Sequence, residues 1–80
     1  MEVKISPKMQ KYIDGLDEPL KSRIKKSVAK LASEPPEGDI KRMSGLSGYR
    51  LRVGDYRILF SVENKTIYIH EVGPRGQIYK

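Results

Sequence analysis

Eighty residues with 38% hydrophobic content can build one domain, 1–80, around one thin core, and the absence of cysteine excludes disulfides and thiolate metal sites. No apolar run approaches the ~20 residues of a membrane span and no signal-peptide core opens the chain, so a cytoplasmic protein without membrane contact is expected. The net charge of +6 is uneven: residues 1–40 carry eight Lys/Arg against seven Asp/Glu, residues 41–80 eight against three, and such an excess steers polyanions toward the second half.

In chain order, Val3 and Ile5 flank Lys4 as a short alternating strand. Ser6-Pro7 provides an N-cap and a first helical residue, and Met9, Tyr12, Ile13 and Leu16 then form one apolar stripe. Gly15 is placed to stop this helix in the left-handed conformation. Asp17 is read as the N-cap of a second helix, with Pro19 in its first turn. Leu20, Ile24, Val28, Leu31 and Ala32 line its buried face, while Lys21, Arg23, Lys25, Lys26 and Lys30 point outward. Pro35-Pro36 ends it, and the short connection predicts an antiparallel helical hairpin. Residues 34–47 read as a linker pinned by Ile40, Met43 and Leu46.

Beyond the linker the period changes to two, and 49–53, 56–62 and 66–72 read as strands. The fold class is therefore α+β, a two-helix hairpin packed on a small antiparallel sheet in the order β-α-α-β-β-β. Gly54-Asp55 suits a type II′ hairpin turn, which pairs Arg52 with Arg57, Arg50 with Leu59 and Tyr49 with Phe60. A turn at Asn64-Lys65 pairs Val62 with Ile67, Phe60 with Ile69 and Leu59 with His70. One sheet face is then apolar; the other carries Arg50, Arg52, Arg57, Leu59, Ser61, Tyr68 and His70. Arg52 directly opposite Arg57 is unfavourable, and with Glu71 on the other face nothing nearby offsets it. A like-charge cluster of this kind is expected where an external anion completes it, and the planar guanidinium suits phosphate. Lys41 and Arg42, and the sole histidine His70, are further candidates for RNA contact. Gly73-Pro74-Arg75-Gly76 builds a tight loop that can bring Arg75 beside this face, with Tyr79 four residues later.

Two blocks, Leu46-Ser47-Gly48-Tyr49-Arg50-Leu51-Arg52-Val53-Gly54-Asp55-Tyr56-Arg57-Ile58 and Val72-Gly73 with Arg75 and Ile78-Tyr79, together with Gly38-Asp39-Ile40-Lys41, resemble the RelE-family toxins of type II toxin–antitoxin systems, in the RelE/ParE superfamily. The resemblance covers essentially the whole chain. It implies a microbial-ribonuclease-like fold and a ribosome-dependent endoribonuclease, an mRNA interferase that cleaves messenger RNA in the ribosomal A site by attack of the 2′-hydroxyl. It also implies a cognate RelB-like antitoxin, operator DNA contacted only through the antitoxin complex, and neither cofactor nor metal. The family's catalytic residues map to Arg50, Arg52, Arg57, Arg75 and Tyr79. Some members carry lysines where this chain has Arg50 and Arg52, and arginine cannot serve as a base, which leaves the proton acceptor open. Two other readings stay open: a ParE-like toxin that inhibits DNA gyrase without cutting RNA, and a catalytically silent relative that only binds an antitoxin.

Overall fold

The computed structural model describes residues 1–43 and 48–74, so the expectations for Leu46, Arg75 and Tyr79 lie outside the described residues. Its elements are β1 (Glu2–Ile5), α1 (Pro7–Asp14), α2 (Leu20–Lys30), β2 (Asp39–Arg42), β3 (Tyr49–Val53), β4 (Tyr56–Glu63) and β5 (Thr66–Pro74). One five-stranded sheet runs β1-β5-β4-β3-β2, with β1 parallel to β5 and every other neighbour antiparallel. The α+β class and the helical layer are as expected. The sheet is mixed rather than purely antiparallel, because the two-helix crossover carries the chain to the opposite edge and the β2–β5 meander then brings β5 back beside β1, parallel to it. It also has one strand more than expected, since β2 forms inside the segment read as linker. There Ile40 alternates with Asp39 and Lys41, a period-two signal too short to stand out among proline and glycine.

The helices cover one sheet face. Met9 and Ile13 from α1, Ile24 and Val28 from α2, and Leu31 just after it join Leu51, Val53, Ile58, Phe60, Ile67, Ile69 and Val72 in one core. The Ser6 hydroxyl caps α1 by accepting from the Met9 amide. Two local expectations are corrected. Gly15 is right-handed (φ −84°, ψ −5°), its amide bonding the Lys11 and Tyr12 carbonyls in a tightened last turn. Asp17 is not the cap of α2; Pro19 precedes the first helical residue, and the Glu18 carboxylate accepts from the Ser22 amide instead. Asp14 meets Lys25 at 2.9 Å, tying α1 to α2, and that bond holds the Asp14 carboxyl below its usual range.

The β3–β4 register is the predicted one, Arg52 opposite Arg57 and Tyr49 opposite Phe60. Gly54 alone has positive φ in its turn (+60°), as a II′ turn requires. At Asn64-Lys65 both residues are left-handed (φ 48° and 60°), a type I′ turn that the asparagine favours and the lysine tolerates. The β4–β5 pairing follows expectation from Val62–Ile67 to Phe60–Ile69 and then shifts: Leu59 aligns with Glu71, not His70. His70 is thus the extra residue of a β-bulge. The bulge swaps the alternation beyond it and brings Val72 opposite Ile58, into the core. Glu71, expected on the other face, accordingly takes the position beside Leu59, at the margin of the arginine face.

Gly48 (φ +130°) is fixed by close approach, because an added Cβ would sit 2.7 Å from the Phe60 carbonyl oxygen. Gly48→Ala is expected to cost about 1–3 kcal/mol. At ~4–8 °C per kcal/mol for a domain of this size, a thermal melt will show the loss clearly.

Candidate nucleic-acid interface

The face opposite the helices is built by cross-strand register. Asp39 and Lys41 of β2 align with Arg52 and Arg50 of β3, which align with Arg57 and Leu59 of β4. Ser61 aligns with Tyr68, and Lys4 of β1 lies beyond Tyr68. Lys41, Arg50, Arg52, Arg57 and His70 are therefore brought to one face. Arg42 is not: it aligns with Tyr49, on the other side of the same strand.

The expectation that these arginines lack acidic partners is corrected at Arg52, whose Nε donates to Asp39 Oδ2 at 2.8 Å. This pairing spans 13 residues and depends on β2, a strand whose period-two signal is too short to mark it in the sequence. Both side chains are more than half exposed (56% and 59%), so the pair adds little stability. Its effect is to hold and partly neutralise one guanidinium. Asp39→Asn is expected to change stability by under ~1 kcal/mol. A titration of single-stranded RNA across salt concentrations should find tighter binding, with the salt slope steeper by ~0.7 for each phosphate gained.

Arg57 differs in kind. It is only 4% exposed, the one buried charged residue among those described. Gly73, without a side chain, stands opposite it on β5 and leaves room for the arginine to lie against the sheet. Its Nη1 donates to the Tyr56 and Gly54 carbonyls at 3.2 and 3.4 Å. Its Nε is shielded from solvent with no hydrogen-bond partner among the described residues, and no carboxylate among them pairs with it. A desolvated cation held by neutral dipoles attracts an incoming anion more strongly than an exposed one does.

His70 stands at the bulge with its Nε2 2.7 Å from Ser61 Oγ. Arg23, expected to point away, instead reaches the β3–β4 turn, where its guanidinium would lie 3.3–3.7 Å from a Cβ added to Gly54. A helical wheel gives its outward direction but not that a long side chain can reach back over a bare glycine. On the helix side, burial chiefly, then a hydrogen bond with Tyr56, raise the Tyr12 hydroxyl above its ordinary pKa, with a smaller contribution from Glu71. A cleft of about 350 Å³ on that side is lined mainly by apolar side chains, Ile40, Tyr49, Phe60 and Val62 among them. No described helix is long and apolar enough to cross a membrane.

A family model described as the ParE toxin of the type II toxin–antitoxin system parDE matches residues 3–79. Among solved structures, the chain is similar to one in the archaeal RelE–RelB complex from Pyrococcus horikoshii OT3: 32% identity, 95% of this chain and 96% of that one, TM-score 0.76. A chain of the RelB–RelE antitoxin–toxin complex from Methanococcus jannaschii is similar at 29% identity, with 94% and 93% covered and a TM-score of 0.75. The RelBE2 toxin–antitoxin complex from Mycobacterium tuberculosis shares the fold at 19% identity, with 92% and 96% covered and a TM-score of 0.71. Comparison with curated protein sequences finds no match. With nearly its whole length matched by the family model and its fold shared with RelE–RelB complexes, the chain belongs to the ParE toxin family of type II toxin–antitoxin systems, within the RelE/ParE superfamily.

Proposed function

We propose that this toxin is a ribosome-dependent endoribonuclease that cleaves messenger RNA in the A site and arrests translation. The carrying observation is the buried Arg57 guanidinium, set opposite Arg52 and beside Arg50 and Lys41 on one sheet face. Cleavage by RNA's own 2′-hydroxyl places growing negative charge on the non-bridging phosphate oxygens. Donors already fixed and dehydrated stabilise that charge without reorganising. Arg57 and Arg50 take the phosphate, Arg52 and Lys41 the flanking backbone. Arg75 attends the leaving oxygen, and Tyr79 stacks on a splayed nucleotide. The ribosome supplies the in-line geometry that a shallow sheet face does not impose alone.

The partner is an acidic antitoxin, RelB-like as in the similar archaeal complexes, covering the arginine face or the β1 edge near Val3. Contact with operator DNA comes through that complex. The description of the family model favours a second reading, a ParE-like toxin that inhibits DNA gyrase without cutting RNA. The two separate in a purified system. On programmed ribosomes the first reading expects A-site cuts that persist in chelator, with naked RNA cut poorly. Robust cleavage of naked RNA would sink the A-site mechanism. Intact message together with inhibited gyrase would establish the second reading.

A further inference from the structure

We infer that His70, held by Ser61 at the β5 bulge, is the proton acceptor of the cleavage step, a role that rests on the ribonuclease reading above. Three observations converge. The arginines of this face cannot accept a proton at any working pH, whereas histidine exchanges one near neutrality. The bulge inserts His70 next to the Leu59–Glu71 pair, and Leu59 has Arg50 on its other side. With strands ~4.8 Å apart, Arg50 and His70 bracket Leu59 at about 10 Å between backbones. That gap accommodates a phosphodiester gripped by the arginine, with its ribose against the imidazole. Third, the 2.7 Å bond to Ser61 orients an otherwise exposed ring. Bulges re-aim side chains in this way beside active sites.

Either tautomer leaves one acceptor. When Nε2–H donates to Ser61 Oγ, Nδ1 takes the ribose proton; when the serine donates to Nε2, the proton passes through the serine oxygen. The 2′-oxygen then bonds to phosphorus as the P–O5′ bond breaks, giving a 2′,3′-cyclic phosphate. The departing 5′-oxygen takes a proton from water, and the imidazolium returns its own to the hydroxide so formed. The charged and titratable groups around the ring are Tyr68 and Glu71 on β5, Arg57 and Glu63 on β4, Arg50 on β3, and Lys4 with its partner Glu2 on β1.

The test is a pH–rate profile for single-turnover cleavage of ribosome-bound message, comparing the unaltered protein with His70→Gln, His70→Ala and Ser61→Ala. The unaltered protein should gain rate as pH rises, the limb expected of a single essential proton acceptor. His70→Gln should lose about 10²–10⁴-fold at the plateau together with that limb. Added imidazole should restore part of the rate to His70→Ala, and Ser61→Ala should keep the limb at a reduced rate. Melting curves matching the unaltered protein identify the loss as chemical. An unchanged limb in His70→Gln, at full or uniformly reduced rate, overturns the inference while leaving the ribonuclease reading intact. No cleavage by the unaltered protein at any pH overturns both.

Discussion

Arg57→Met is expected to lower the cleavage rate by about 10²–10³-fold, the usual cost of removing one preorganised donor from a developing oxyanion, while leaving the melting temperature unchanged or raised. The two halves of this expectation have one cause. Arg57 is buried, yet it bonds only to two carbonyls at 3.2 and 3.4 Å and keeps an unsatisfied Nε among the described residues. A dehydrated charge held so loosely costs the fold more than it returns. Replacing a buried ionic group by an apolar one of similar volume is often neutral or stabilising. Methionine keeps the linear stem and drops the charge. Because no described carboxylate pairs with Arg57, the substitution strands no counter-charge. Arg57→Lys, which keeps the charge but not the planar fork, should fall between. Full activity in a well-folded Arg57→Met protein would show that this cation does not act on the phosphate.

The largest effect on stability is expected at Phe60. It is 2% exposed, stacks on Tyr49 with ring centroids 5.5 Å apart, and occupies the β4 position just before the register shifts. Phe60→Ala removes the stack and opens a cavity in the core cluster that Phe60 shares with Leu51, Ile58 and Ile69, a change that costs about 3–5 kcal/mol in comparable cores. A domain of this size has about 4–12 kcal/mol in all, at ~0.05–0.15 per residue. Urea titration should therefore find the variant near the edge of unfolding. The bulge also depends on the alignment of Phe60 with Ile69, so activity should fall with stability rather than separately from it. A loss below ~1 kcal/mol would mean that this ring is not the centre of the core.

The contrast between these two residues shows what was legible before the structure. The β3–β4 register followed residue by residue from one turn, because Gly54-Asp55 allows few geometries and a slip would bury arginine. That placed Arg50, Arg52 and Arg57 together, and Phe60 on the opposite side. Features that depend on distant chain were not legible. Asp39 reaches Arg52 only because β2 adds to the sheet edge, and the same strand sends Lys41 and Arg42 to opposite faces. The bulge at His70 has no local marker: Ile69-His70-Glu71-Val72 reads as ordinary alternation, and only the burial of Val72 against Ile58 demands the extra residue. The left-handed stop expected at Gly15 failed because a helix can also end by tightening its last turn. Burial of Arg57 was hidden too, since it requires Gly73 to lie opposite.

Action of the arginine face on messenger RNA is tested most directly by mapping the 5′ ends of cellular transcripts by primer extension after the toxin is induced, with gyrase-linked DNA breaks scored in the same cultures. New cuts within translated codons, absent when Arg57→Met is induced and unaccompanied by DNA breaks, are the predicted result. Arrested growth with intact transcripts and accumulating DNA breaks would contradict it.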